Sequence, residues 1–153
     1  MDTRHYHIHF PPFIFLVSLL MTTPEEKIRL SKIHRPMIRA IINNEAAEFE
    51  KILNDNKGMN INFQSSGKMT PLHTAASLGR RDMCEKLLAV KANIEAKNAL
   101  GFTPLLSAAI NGHESVVAAL LKGGADKNVT SIKGDTASTL AAQKGFSNVV
   151  GIL

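Results

Sequence analysis

A chain of 153 residues that is 44% apolar, 20% charged and 5% aromatic has the balance of one soluble domain with its own core, and is neither low-complexity nor charge-dominated. Its single cysteine excludes an internal disulfide and a thiolate-rich zinc site, so a reducing interior suits it. The net charge of +5 is spread thinly, and its one cluster, Lys27, Arg29, Lys32, Arg35 and Arg39, is partly offset by Glu25 and Glu26 and lacks interleaved aromatics for base stacking, so it reads as a solvated face rather than a nucleic-acid site.

Residues 1–33 form a leader unlike the rest. It has a weakly basic start, an apolar run from Phe13 to Met21, and then "TTPEEK". The run falls well short of the ~20 residues a spanning helix needs, and Pro11 and Pro12 stop it from extending backwards, so no stable membrane insertion is expected. It looks like a secretory apolar segment, but Leu20, Met21, Thr22 and Thr23 offer no small-x-small cleavage site. Met21 opens a more ordinary sequence, so an alternative start or a poorly chosen gene boundary is the preferred reading. The expected location is the cytoplasm, with the nucleus second and secretion disfavoured. The Asn128-Val129-Thr130 sequon would matter only under secretion. His5, His7 and His9 would share one face of a strand, but nothing in the leader orients the rings, and no metal site is expected.

Beyond the leader the chain repeats itself. Thr70 recurs as Thr103 and Thr136; Ala75 and Ala76 as Ala108 and Ala109, then Ala141 and Ala142; Gly79 as Gly112 and Gly145, each step being 33 residues. The copies occupy 68–100, 101–133 and a partial 134–153. A divergent copy at 34–67 aligns Pro36 with Pro71 and Leu53 with Leu88, given two extra residues before "GMNIN".

In each copy Thr70 or Thr103 suits a helix N-cap and Pro71 or Pro104 the first helical position, with Gly79, Gly112 and Gly145 placed for a left-handed stop. A second helix follows, with Met83, Leu87 and Leu88, or Val116, Val117, Leu120 and Leu121, at helical spacing. The paired alanines let helices approach closely. One copy cannot bury its apolar face alone, so the pattern predicts an all-α solenoid of about three and a half stacked units.

The strings "TPLHTAASLG" and "TPLLSAAING", with "GGADKN" after the second helix, resemble the ankyrin repeat pattern over residues 35–153. The resemblance implies helix-turn-helix units with protruding hairpin loops, and a concave surface of loop tips and first helices that binds other proteins. Asn44 in place of glycine, with polar Asn43, Glu45 and Glu48, suggests a capping first copy; the last copy, lacking a polar cap before Leu153, looks truncated. "AIINNEAAEFEKIL" and "NINFQSSGKMTPLHTAASLG" resemble the opening repeats of the protein phosphatase 6 regulatory ankyrin repeat subunits, which implies a scaffold for a phosphatase complex.

No catalytic, cofactor-binding or small-molecule site is expected. His73 with Cys84 and Asp82 is the sole combination that suggests a thiolate nucleophile. In the repeat register His73 gives way to Leu106 and Thr139, and Cys84 to Val117 and Val150, so both are structural; His113, after Gly112, has a structural place too. Recognition falls instead to positions the repeat leaves free: Met69, Ser77, Leu78, Leu100, Phe102, Ile110, Asn111, Ile132, Lys133, Asp135, Gln143 and Lys144. Met69, Leu100, Phe102, Ile110 and Ile132 would make an apolar strip with a polar rim, unless some of them pack loop against loop. The function expected is a scaffold or adaptor; the alternatives are a targeting segment of a larger kinase or protease, or a secreted effector.

Overall fold

The structure, a computed structural model, describes residues 24–153. The three leader histidines and the apolar run Phe13–Met21 lie outside the described residues. The helices are α1 (Pro24–Asn43), α2 (Ala46–Asp55), α3 (Pro71–Ser77), α4 (Arg81–Ala89), α5 (Pro104–Ile110), α6 (Glu114–Lys122), α7 (Ala137–Lys144) and α8 (Ser147–Ile152). No strand occurs among the described residues. Residues 34–153 form one compact unit, distinct from residues 1–33.

The first helices start as their sequence dictates. Thr70, Thr103 and Thr136 sit in extended conformation, and each hydroxyl accepts from the backbone N–H three residues on, at 3.4, 3.4 and 3.2 Å. Pro71 and Pro104 open their helices at no cost, because that N–H has no intrahelical partner. Pro36 behaves differently: it lies inside α1, which runs through it from Pro24. The residue before it is Arg35, where the other copies place the capping threonine, so no side chain here competes to end the helix.

Each first helix packs on the second helix of its own copy, α3 on α4, α5 on α6 and α7 on α8. Between copies α3 lies against α5 and α5 against α7, while α4 lies against α6 and α6 against α8. Two rows of helices result. Fully buried Ala75, Ala76, Ala108, Ala109 and Ala141 line the first row, and Met83, Leu87, Val116, Leu120 and Val149 fill the space beneath it. Ala142 is exposed, unlike Ala76 and Ala109, whose helices are covered by the next first helix along.

The loops after the second helices repeat as faithfully. Asn60, Asn93 and Asp126 each accept, through a side-chain oxygen, from the N–H two residues on. Neighbouring loops are then linked: Asn62 Oδ1 accepts from Asn93 N–H at 2.7 Å, and Glu95 Oε1 from Asp126 N–H at 2.8 Å.

Candidate protein-binding surface

Between second and first helices the chain makes a tight hairpin in each copy. Ser65 N–H donates to the Met69 carbonyl at 2.8 Å, Asn98 N–H to Phe102 at 3.0 Å, and Ser131 N–H to Asp135 at 2.9 Å. A polar side chain braces the turn from within. Asn98 Oδ1 accepts from the N–H groups of Leu100 and Phe102, and Ser131 Oγ from those of Lys133 and Asp135. Successive hairpins are joined through their backbones, Ala99 N–H to the Gly67 carbonyl at 2.8 Å and Ile132 N–H to that of Leu100 at 3.2 Å. The tips are thus a bonded row on a rigid base, the arrangement in which loop side chains can be held for recognition.

That row carries Leu100, 63% exposed, and Ile132, 75% exposed, with Lys133 exposed beside it. The bond between Ile132 and Leu100 brings these two tips together. Asp135 is half-buried and accepts from Ser131 Oγ and Gln143 Nε2, both at 3.4 Å. Met69 and Phe102 lie at the inner ends of their hairpins and are half-buried; Asn98 Nδ2 donates to Met69 Sδ at 3.3 Å, so Met69 packs loop against loop. Phe102 offers its carbonyl to a neighbouring copy, as described below. At the ends of the first helices, Leu78, Asn111, Gln143 and Lys144 are exposed and Ser77 and Ile110 half-buried. The Ser77 hydroxyl and Asn111 amide are occupied by the carbonyls of Thr74 and Ser107 in their own helices.

One position of this kind is absent from the sequence expectation. Ile42 stands in the first copy where Ser77, Ile110 and Gln143 stand in the others, and is 52% exposed. The register that pairs Pro36 with Pro71 also pairs Ile42 with Ser77; reading the first copy only as a cap hides it. A depression of about 480 Å³ at the ends of α2 and α4, lined by Leu53, Met59, Ile61 and Val90 among others, lies next to the two-residue insertion of the first copy.

His73 and Cys84 are placed as structural residues. His73 is buried, and its Nε2 faces the Phe102 carbonyl at 2.8 Å. A carbonyl only accepts, so Nε2 carries the proton and Nδ1 accepts from the Thr70 N–H at 3.3 Å and its hydroxyl at 2.8 Å. Burial lowers the His73 pKa, partly opposed by backbone hydrogen bonds to Phe102 and Ala96. Cys84 is fully buried, and that burial, with Glu85 next to it, pushes its thiol up to about 12. The nucleophilic thiolate is therefore not formed at neutral pH. Among the described residues no group of three or more His, Cys, Asp or Glu side chains is placed to hold a metal ion, and no helix is long and apolar enough to cross a membrane.

Comparison with known proteins agrees with this geometry. A family model described as ankyrin repeats (3 copies) matches residues 14–98, 37–131 and 90–153. Ankyrin repeat and KH domain-containing protein mask-1 of Caenorhabditis elegans is 36% identical over 90 residues, 58% of this chain and 3% of that protein. Ankyrin repeat and KH domain-containing protein 1 of Homo sapiens is 40% identical over 82 residues, 52% of this chain and 3% of that protein. Transient receptor potential cation channel subfamily A member 1 of Homo sapiens is 37% identical over 98 residues, 62% of this chain and 9% of that protein. The chain thus spans a small fraction of the length of these relatives.

Proposed function

The chain belongs to the ankyrin repeat family, whose repeats are protein-interaction modules, and we propose that it works as a non-catalytic scaffold or adaptor in the cytoplasm, with the nucleus as a second compartment. The partner docks on the hairpin tips and the free ends of the first helices. The observation that carries this reading is the pair Leu100 and Ile132: two large apolar side chains, mostly in solvent, on hairpins that are bonded to each other and held by Asn98 and Ser131. Ordering such loops in advance lowers the entropic cost of binding, and apolar anchors in a polar rim are where binding energy concentrates. The finer form of the reading is a scaffold for a phosphatase complex. Its support is the likeness of "AIINNEAAEFEKIL" and "NINFQSSGKMTPLHTAASLG" to phosphatase 6 regulatory subunits.

The test is affinity purification with wild type and the Leu100→Ala/Ile132→Ala variant, read by mass spectrometry. Both side chains are exposed, so the variant should melt like wild type yet lose the recovered partner. A phosphatase catalytic subunit in the wild-type sample supports the finer form. Equal recovery by two equally folded proteins overturns the proposed surface.

A further inference from the structure

We propose that the first copy carries a binding groove of its own, for a protein segment that presents an apolar side chain next to carboxylates. The proposal deepens the reading as an interaction module and rests on it, but uses residues outside the hairpin row. The groove, of about 370 Å³, lies between α1 and the segment that contains Phe63. His34, Ile38 and Ile42 follow at spacings of four along α1 and share one face. The His34 ring stacks flat on Phe63, with centroids 3.6 Å apart and planes at 7°, which makes an apolar wall across from the isoleucines. Ile42, 52% exposed, leaves this wall uncovered among the described residues.

Charge selects the occupant. Arg35 and Arg39, one helical turn apart, line the same groove and are exposed, and among the described residues no ion pair or side-chain hydrogen bond engages either guanidinium. Outside the groove lining, at the end of α1, the Arg80 guanidinium donates to the carbonyls of Ile41 and Ile42. The first acid after Arg39 in the chain, Glu45, accepts from Asn43 Nδ2. An apolar floor beside unpaired guanidiniums fits an apolar side chain flanked by carboxylates, which guanidinium binds in bidentate fashion.

The experiment uses the full chain and fluorescence anisotropy with a labelled synthetic helical peptide carrying leucines along one face and glutamates beside them. Arg35→Glu with Arg39→Glu should weaken binding about tenfold or more, and raised salt should weaken it in wild type. The Leu100→Ala/Ile132→Ala variant should bind the peptide like wild type. That arm separates the two ideas: loss of the natural partner with retained peptide binding leaves the groove standing alone. Equal binding by wild type and the Arg35→Glu/Arg39→Glu variant, both melting alike, overturns the groove. So does equal binding of the same peptide with lysines in place of glutamates, or concentration-dependent dimers that the acidic peptide leaves intact.

Discussion

His73 Nε2 donates to the Phe102 carbonyl at 2.8 Å, across 29 residues of sequence, so one imidazole closes the cap of its own helix and holds the hairpin of the next copy. The equivalent residues do less. Leu106 only packs, and Thr139 reproduces the local cap through Oγ1, which accepts from Thr136 N–H at 2.8 Å, without reaching another copy.

Because burial holds its pKa below 6.5, His73 makes stability depend on pH. Above that value the folded and unfolded chains both carry a neutral ring and the shift contributes nothing. As pH falls below it the unfolded chain takes up the proton first, so stability drops until the folded pKa is passed. His34, also lowered by burial, acts in the same direction. Melting temperature should therefore fall between pH 7 and about pH 5, and His73→Leu, though less stable at pH 7, should show the smaller fall. Parallel curves for the two proteins would refute this role.

Gly112 and Gly145 occupy the same register position with φ of 73° and 80°, but their surroundings differ. A Cβ on Gly112 would lie 2.6 Å from the Phe146 ring, whereas one on Gly145 meets nothing within 4 Å. Gly145→Ala should cost about 1 kcal/mol for the left-handed backbone alone, and Gly112→Ala about 3 kcal/mol because the ring must also move. Urea unfolding midpoints would rank them, and equal losses would mean that Phe146 shifts freely.

The parts of the fold written in residue type at fixed spacing were legible: caps at Thr70 and Thr103, stops at Gly79 and Gly112, alanine pairs between helices. Asn44 fits as well, at φ 61°, since asparagine tolerates the left-handed region better than most residues. What the sequence hides is long-range geometry. Nothing local tells that Met69 meets Asn98, so its packing role and the tip exposure of Leu100 look alike on the page. Pro36, aligned with Pro71, lies inside α1 because proline opens a helix only where something before it stops one. The groove beside Ile42 escapes notice because its wall joins α1 to Phe63, some twenty residues apart, and its charges resemble any solvated helix face.

Cys84 offers a direct probe of packing. With the thiol pushed up to about 12 inside the core, native protein at pH 8 should resist alkylation by iodoacetamide for as long as it stays folded, and react at once in denaturant. Mass shifts followed over time would measure the opening rate. Fast labelling of protein with a full circular-dichroism signal would show that the layer between α4 and the first helices opens locally.

The residue after each left-handed stop decides how copies join, and three solutions occur. Arg80 donates from Nε and Nη2 to the carbonyls of Ile41 and Ile42 at 3.3 and 3.1 Å. His113 donates from Nε2 to the Ser77 carbonyl at 2.9 Å while its ring lies on Gly79. Phe146 makes no such bond and packs its ring on Gly112. Packing is thus common to His113 and Phe146, and the hydrogen bond is an addition. His113→Phe should keep the ring on Gly79 and lose only the bond, costing about 1 kcal/mol. His113→Ala should lose both, costing about 2 kcal/mol. Arg80→Ala, which removes two bonds at a half-exposed end of α1, should cost about 1 kcal/mol. Chemical denaturation of the three variants tests the order. If His113→Phe proves as damaging as His113→Ala, the hydrogen bond and not the ring contact joins these copies.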